Sequence, residues 1–292
     1  MRLDELLKGD KLHLSMEVFP PKKDGDLSKV QQATEEIAAL RPSYISVTYG
    51  AGGGTSKYTL EIAKNIKDKY GVPTLEHLTC VSSDKDTIRE KIRAMHEAGT
   101  ENVMALRGDI PPELQDADRS GWDYHYAIEL VRELKESGYD FCIGGACYPE
   151  VHPESKNSVE DIRHIREKVD AGLDFLVTQM FFDNGLYYSY LYRLREAGID
   201  VPVIPGIMPI TRARQVAVCR DLTGGTYMPQ RFMSLVDKFG DDPEAMKQAG
   251  IIYATDQIID LYANGIKNVH IYTMNKPDVA AKILDNLSHI IS

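Results

Sequence analysis

Glu17 is the residue of this chain whose surroundings first suggest chemistry. It lies in the run Leu12-His13-Leu14-Ser15-Met16-Glu17-Val18-Phe19, which ends in Pro20-Pro21. Side chains alternate across a strand, so Leu12, Leu14, Met16 and Val18 share one face and His13, Ser15 and Glu17 the other. In a barrel of parallel strands the apolar face packs under helices. The second face points inward, close to the mouth where such enzymes keep their chemistry. Desolvation favours the protonated form of a carboxyl, which suits a buried one to proton donation. A structural ion pair with a barrel Arg or Lys, or a glutamate at a solvated strand end, are the alternatives.

Further strand-like runs also end in groups that donate, accept or ionise. In chain order these are Thr48-Tyr49-Gly50-Ala51-Gly52-Gly53-Gly54, His77, Arg107-Gly108-Asp109, Tyr148-Pro149-Glu150-Val151-His152, Gln179 and Tyr272. Such uniform polarity at strand ends points to an enzyme. The glycine run could cradle a phosphate, but no GK[ST] follows it, and a flexible loop or close backbone approach explains it equally well. His77, His152, Glu17 and Asp109 come from different strands at no ligand spacing, so no metal is expected. His77 could equally be a hydrogen-bonded barrel residue. Arg107 and Asp109 could form an internal salt bridge, with Gly108 letting the backbone approach a ligand. Asp161, His164 and Lys168 fall at i, i+3 and i+7, a polar helix face that spacing alone reads as solvated.

The elements that must position these groups alternate along the chain. Strand-like runs begin near Leu12, Tyr44, Thr74, Asn102, Phe141, Phe175, Val201 and Val269, each followed by helical periodicity such as Ile88-Ile92-Met95. Gly closes several helices, at Ala98-Gly99, Ser137-Gly138, Ala171-Gly172 and Ala197-Gly198. The stretch 208–268 has room for two or three extra helices before the last strand. The alternation predicts an α/β fold, a single (β/α)8 TIM barrel over residues 1–292. An open doubly wound sheet is second, since no GxGxxG follows the first strand.

Charge narrows the partners. Lys and Arg number 34 against 44 Asp and Glu, a net −10, which argues against nucleic acid and anionic membranes. An anionic ligand needs a locally basic site. The cysteines Cys80, Cys142, Cys147 and Cys219 form no CxxC, so neither an iron–sulfur cluster nor structural zinc is signalled, and a reducing compartment fits. The start, Met1 to Lys8, reads as a short amphipathic helix with no signal peptide or membrane span after it. A cytoplasmic protein is expected.

Motifs in order complete the reading. They are Ser15-Met16-Glu17-Val18-Phe19-Pro20-Pro21, Val47-Thr48-Tyr49-Gly50-Ala51, His77-Leu78-Thr79-Cys80, Leu106-Arg107-Gly108-Asp109, Tyr148-Pro149-Glu150-Val151-His152-Pro153 and Thr178-Gln179-Met180-Phe181-Phe182-Asp183. Ile204-Pro205-Gly206-Ile207-Met208-Pro209 and Tyr272-Thr273-Met274-Asn275 follow. With these the chain closely resembles the bacterial 5,10-methylenetetrahydrofolate reductases. The resemblance implies a flavin-bearing barrel in which NAD(P)H reduces FAD and reduced FAD converts 5,10-methylenetetrahydrofolate to 5-methyltetrahydrofolate. It implies that Glu17 protonates folate N10 to open the ring to an iminium. It sets Asp109 between flavin and pterin, and Gln179 against both substrates. Thr48, Gln215, Tyr272 and Lys276 match further substrate positions. Thr48, Tyr49, Ala51, His77, Arg107, Gly108, Asp109, Ala127, Tyr148, His152, Asp161, His164 and Lys168 match FAD contacts, which gives the Asp161–Lys168 face a role that spacing alone did not.

Three positions depart from that pattern. His164 stands where several members carry Asn, Lys276 where related chains have Arg, and Cys219 where some place Phe against the substrates. Arg to Lys keeps the charge but loses the bidentate fork. The Cys219 departure keeps open an alternative, a flavoprotein subunit whose electrons come from a partner in a larger complex. The resemblance also suggests a homo-oligomer.

Overall fold

In the computed structural model, residues 1–21, 27–49, 56–110, 114 and 116–291 are described. Helix α1 (Leu3–Leu6) precedes a regular alternation: β1 (His13–Val18), α2 (Leu27–Ala39), β2 (Tyr44–Val47), α3 (Ser56–Tyr70), β3 (Thr74–Thr79), α4 (Lys85–Glu97), β4 (Asn102–Leu106), α5 (Ala127–Glu136), β5 (Cys142–Cys147), α6 (Ser158–Asp170), β6 (Phe175–Thr178) and α7 (Asn184–Glu196). Two short strand pieces come next, β7 (Val203–Ile204) and β8 (Gly206–Ile207), then α8 (Gln215–Thr223), α9 (Gln230–Phe239), α10 (Pro243–Ala263), β9 (Asn268–Tyr272) and α11 (Pro277–Asn286). The expected TIM barrel is present, and three helices fill the stretch before the last strand. The glycines read as helix ends, Gly99, Gly138, Gly172 and Gly198, all take positive φ.

Every strand pairing is parallel, in the order β7-β6-β5-β4-β3-β2-β1-β9-β8. The nine segments occupy eight barrel positions, because β7 pairs with β6 while β8 pairs with β9. They are two halves of one strand, broken at Pro205, which has no N–H to give a ladder. The break is bridged on both sides. His270 N donates to Pro205 O at 2.9 Å, and Gly206 N donates to Thr178 Oγ1 at 2.9 Å. A Cβ on Gly206 would stand 2.6 Å from both Thr178 O and the Tyr272 ring. Only glycine therefore lets Tyr272 Oη reach Thr178 O, at 2.6 Å.

The two faces of β1 separate as the alternation requires. Leu12, Leu14, Met16 and Val18 join the large core between strands and helices. The inner face changes character along the barrel axis. At the N-terminal end Leu3 and Leu7 plug the bore against Tyr44, Leu75, Met104, Cys142 and Phe175. Asn102 fastens that plug, accepting from Leu3 N at 2.8 Å and donating to Thr74 O at 2.9 Å. Toward the C-terminal end the inner face turns polar, with Ser15, Glu17, Ser46, His77, His270 and Tyr272. Among the described residues no helix is long and apolar enough to cross a membrane.

Two tests follow from the packing. Helix α10 lies so close to the loop after β8 that a Cβ on Gly250 would sit 1.7 Å from Ile210 O. Gly250→Ala is expected to cost about 3 kcal/mol in thermal or denaturant unfolding, while Gly121→Ala, whose Cβ meets nothing within 4 Å, stays near wild type. Equal stability of the two variants would contradict the close approach. The second test concerns Glu76, buried on the outer face of β3 at 4% exposure and bonded to Thr100 Oγ1 at 2.7 Å. Burial pushes its carboxyl up from 4.5 to about 7. Between those values the unfolded chain has released a proton that the folded chain keeps, so this group's contribution falls as pH rises through the window. Glu76→Gln should therefore gain stability relative to wild type from pH 4.5 to 7, read from melting curves; a constant or shrinking difference would refute it.

Candidate active site

The register of β1 with its neighbours places Glu17 level with Ser46 on β2 and Tyr272 on β9. Two positions down, Ser15 is level with Tyr44 and His270. The Glu17 side chain, 20% exposed, faces two imidazoles. His270 Nε2 lies 3.7 Å and His77 Nε2 4.0 Å from Glu17 Oε2. Each ring is held by a serine: Ser15 Oγ is 2.8 Å from His270 Nδ1, and Ser46 Oγ 2.6 Å from His77 Nε2. His270 also lies between Tyr44, stacked at 6.3 Å, and the edge of Tyr272 at 5.2 Å. Burial holds His77 down at about 4, so its ring is neutral around pH 7.

Above this floor opens a cavity of about 870 Å³, at the upper end of the range for cofactor and ligand sites. Glu17, Tyr49, His77, Arg107, Gly108, Asp109, Ala127, Tyr148, His152, Asp161, His164, Lys168, Gln179, Gln215 and Tyr272 all line it. Most of the residues singled out in the sequence thus converge on one space. Thr48 and Lys276 are not part of the lining. Thr48 O accepts from Thr59 Oγ1 at 3.0 Å, and Lys276 Nζ donates to Thr211 Oγ1 at 2.8 Å. Burial, with Arg212 nearby, lowers Lys276. Ala51 and the glycine run from Gly50 to Gly54 lie outside the described residues.

The wall formed by α6 corrects the reading from spacing. Asn157 caps the helix, accepting from Val159 N and Glu160 N at 3.0 Å each. Residues of this helix line the cavity, and Asp161 is 3% exposed instead of solvated. Its carboxylate accepts from Ser155 Oγ at 3.3 Å and from the His152 backbone, and desolvation raises it. Lys168 Nζ donates to Ala146 O at 2.7 Å, and burial lowers it against the pull of Cys147 and Asp161. Nor do Arg107 and Asp109 form the internal pair. Arg107 bonds Glu154 at 2.7 Å, while Asp109 is exposed at the rim. His152 packs edge-on to Tyr148 at 4.5 Å, and burial lowers it.

Two amides are oriented by backbone donors. Gln179 Oε1 accepts from Met180 N at 2.9 Å, and Gln215 Oε1 accepts from Thr211 N and Arg212 N at 2.9 Å each. Both side chains therefore have NH2 groups left as donors. Cys219 is buried against the cavity as a neutral thiol, pushed up to about 11 by burial. Among the described residues no three His, Cys, Asp or Glu side chains converge to hold a metal.

His270, Lys91 and Glu154 line the cavity and were not singled out in the sequence. The alternation Asn268-Val269-His270-Ile271-Tyr272 carried the signal for His270, which shares the inner face of β9 with Tyr272.

Several lining groups have the chemistry to hold a sugar- and phosphate-bearing cofactor. The Tyr49 hydroxyl is buried with no hydrogen-bond partner among the described residues, and Lys91 sits 5.3 Å over its ring. Asp161 keeps acceptor capacity for sugar hydroxyls, and Lys168 and Arg107 offer positive charge for phosphates. A family profile described as methylenetetrahydrofolate reductase matches residues 2–288. The 5,10-methylenetetrahydrofolate reductase of Escherichia coli K12 is 37% identical over 276 residues, covering 94% of this chain and 90% of that one. A rice protein described as a probable methylenetetrahydrofolate reductase (NADH) is 33% identical over 304 residues, covering 99% of this chain and 50% of its own length. Among solved structures, an uncharacterised protein from Clostridium thermocellum that binds two copies of 5-methyl-5,6,7,8-tetrahydrofolic acid superposes with a TM-score of 0.71. It shares 13% sequence identity, covering 99% of this chain and 100% of that one, a likeness of fold. Profile and bacterial relative agree over nearly the whole length, and the chain belongs to the methylenetetrahydrofolate reductase family of oxidoreductases.

Proposed function

We propose that the cavity holds FAD and that the chain reduces 5,10-methylenetetrahydrofolate to 5-methyltetrahydrofolate with electrons from NAD(P)H. The observation that carries this reading is the Glu17 carboxyl on the cavity floor, within 4.0 Å of two imidazoles. When bound, FAD supplies hydride transfer between the nicotinamide and the folate's one-carbon unit. Asp161 receives the ribose hydroxyls, and Lys168 with Arg107 neutralises the pyrophosphate. His77, Tyr148, His152, His164 and Ala127 complete that wall.

The methylene bridge of the folate is a stable ring, and hydride needs a cationic electrophile. Glu17 protonates N10, the ring opens, and the one-carbon unit becomes an iminium. Asp109 supplies an exposed carboxylate at the rim, an acceptor for the pterin amino group and a counter-charge to that cation. Gln179 and Gln215 offer their free NH2 groups to carbonyl oxygens, on either substrate for Gln179 and on the folate for Gln215. Tyr272 closes the floor, its hydroxyl tied to Thr178 O, and Lys276 places positive charge beyond the lining toward the folate's carboxylates. The donor named for the rice relative, NADH, favours a nicotinamide over the partner-subunit alternative. A cytoplasmic homo-oligomer completes the reading.

Glu17→Gln is expected to lose a hundredfold or more (~10²–10⁴) in the folate half-reaction while reduction by the nucleotide continues. Stopped-flow absorbance of the flavin reads the two half-reactions separately. Equal loss in both would reject the proton-donor role.

A further inference from the structure

Helix α8 forms one side of the cavity, yet little of it is buried. Of its nine residues, Val216 and Cys219 are the buried ones, while Val218 and Leu222 line the cavity at 52% and 60% exposure. A helix this short has little stability of its own and depends on what its ends are tied to. Its first residue, Gln215, is bonded to the loop before it. Its last turn is tied to a different part of the barrel. Gly224 ends the helix in the left-handed conformation, at φ +71, where a Cβ would stand 2.7 Å from Pro153 Cγ. Glu150, in the loop between β5 and α6, then accepts from Thr226 Oγ1 at 2.5 Å and from Tyr227 N at 2.7 Å. Thr226 N donates to Thr223 Oγ1 at 2.9 Å, and Thr223 Oγ1 donates to Cys219 O at 2.8 Å. A continuous chain of bonds thus runs from Glu150 to the backbone of α8, at a residue that lines the cavity.

We propose that Glu150 is a positioning residue, whose carboxylate fixes the C-terminal end of α8 and so sets the affinity of the cavity for the folate. The bonds matter because packing between the two loops is incomplete. Together with Gln179 and Met180, they line a second cavity of about 250 Å³. The loop of Glu150 also carries Tyr148 and His152 into the main cavity, so Glu150 joins the wall assigned to the cofactor to the wall of Gln215 and Cys219. Val151, next in sequence, has φ +74. That conformation is costly for a β-branched residue and persists where its surroundings enforce it. Here the loop is held from two sides, by Glu154 on Arg107 at 2.7 Å and by Glu150 on the end of α8. Glu150 is not part of the main lining, so it acts through α8 and not on the reacting atoms.

This inference rests on the folate half-reaction of the proposed function, and its test separates the two. Glu150→Gln keeps one acceptor oxygen and loses one of the two bonds, and Thr226→Val breaks the chain from the other side. In stopped-flow reoxidation of the reduced flavin, each should raise the half-saturating folate concentration about tenfold, the effect of losing one bond to a charged group. The limiting rate should stay within about twofold of wild type, since binding and not the chemical step is affected. The double variant should be little worse than either single one, because both cut the same chain. Amide hydrogen exchange of the purified flavoprotein reads the tie without turnover. Residues 219–227 should exchange faster in both variants while the barrel strands keep their protection. An unchanged half-saturating concentration, or a fall in the limiting rate alone, overturns the role of Glu150. Faster exchange throughout the barrel marks a general loss of fold and overturns it as well. A wild-type flavin that the folate does not reoxidise overturns the proposed function instead, and the exchange pattern still decides whether Glu150 holds α8.

Discussion

A carboxyl set on the floor of a barrel and flanked by two tethered imidazoles is the constraint from which the rest of the site follows. Glu17 reaches that floor because β1 is paired on both sides and cannot slip by one residue. A slip would carry Leu14, Met16 and Val18 out of the main core into the bore. The apolar plug of Leu3 and Leu7 closes the bore from below. Among the described residues the bore is closed beneath Glu17, so a ligand filling the cavity above displaces water from it. The proposed chemistry requires this arrangement, a proton donor beneath a cavity that fills from above.

Barrel closure serves the same end. The last strand, β9, carries His270 and Tyr272, and it meets the rest of the sheet on its far side through a strand broken at Pro205. The break places Gly206 where the Tyr272 ring must pass. Farther along, the loop after β8 is fixed by the backbone of α10 at Gly250. That loop carries Met208 and leads to Gln215, so the extra helices before the last strand hold the ligand-facing side of the mouth in place. Their own packing is soft, with Met180, Met208, Met228 and Met246 around Phe182 and Phe232. Methionine adapts to irregular spaces, which fits the proposal that two differently shaped substrates bind there in turn.

Much of this was readable from the residues because barrel strands repeat a simple rule. Period-two alternation assigned the inner face of β1, and the polar strand ends named most of the cavity lining. What escaped depends on tertiary geometry. Helical spacing groups Asp161, His164 and Lys168 on one face, but only the packing of α6 beside the cavity decides that this face lines it. Adjacency in sequence suggested an Arg107–Asp109 pair, whereas the fold brings Glu154 to the guanidinium from a separate loop. His270 went unmarked because the last strand was read by its terminal residue, Tyr272, and not by the whole inner face. Motif matches placed Thr48 and Lys276 among ligand contacts, and neither is part of the lining among the described residues.

The most direct measurement is an anaerobic visible spectrum of the purified protein, first alone, then with NADH, then with 5,10-methylenetetrahydrofolate. The account predicts flavin bands that bleach with NADH, or with NADPH, and return when the folate is added. A protein that stays colourless after incubation with FAD, or a bleached flavin that the folate never reoxidises, would contradict it.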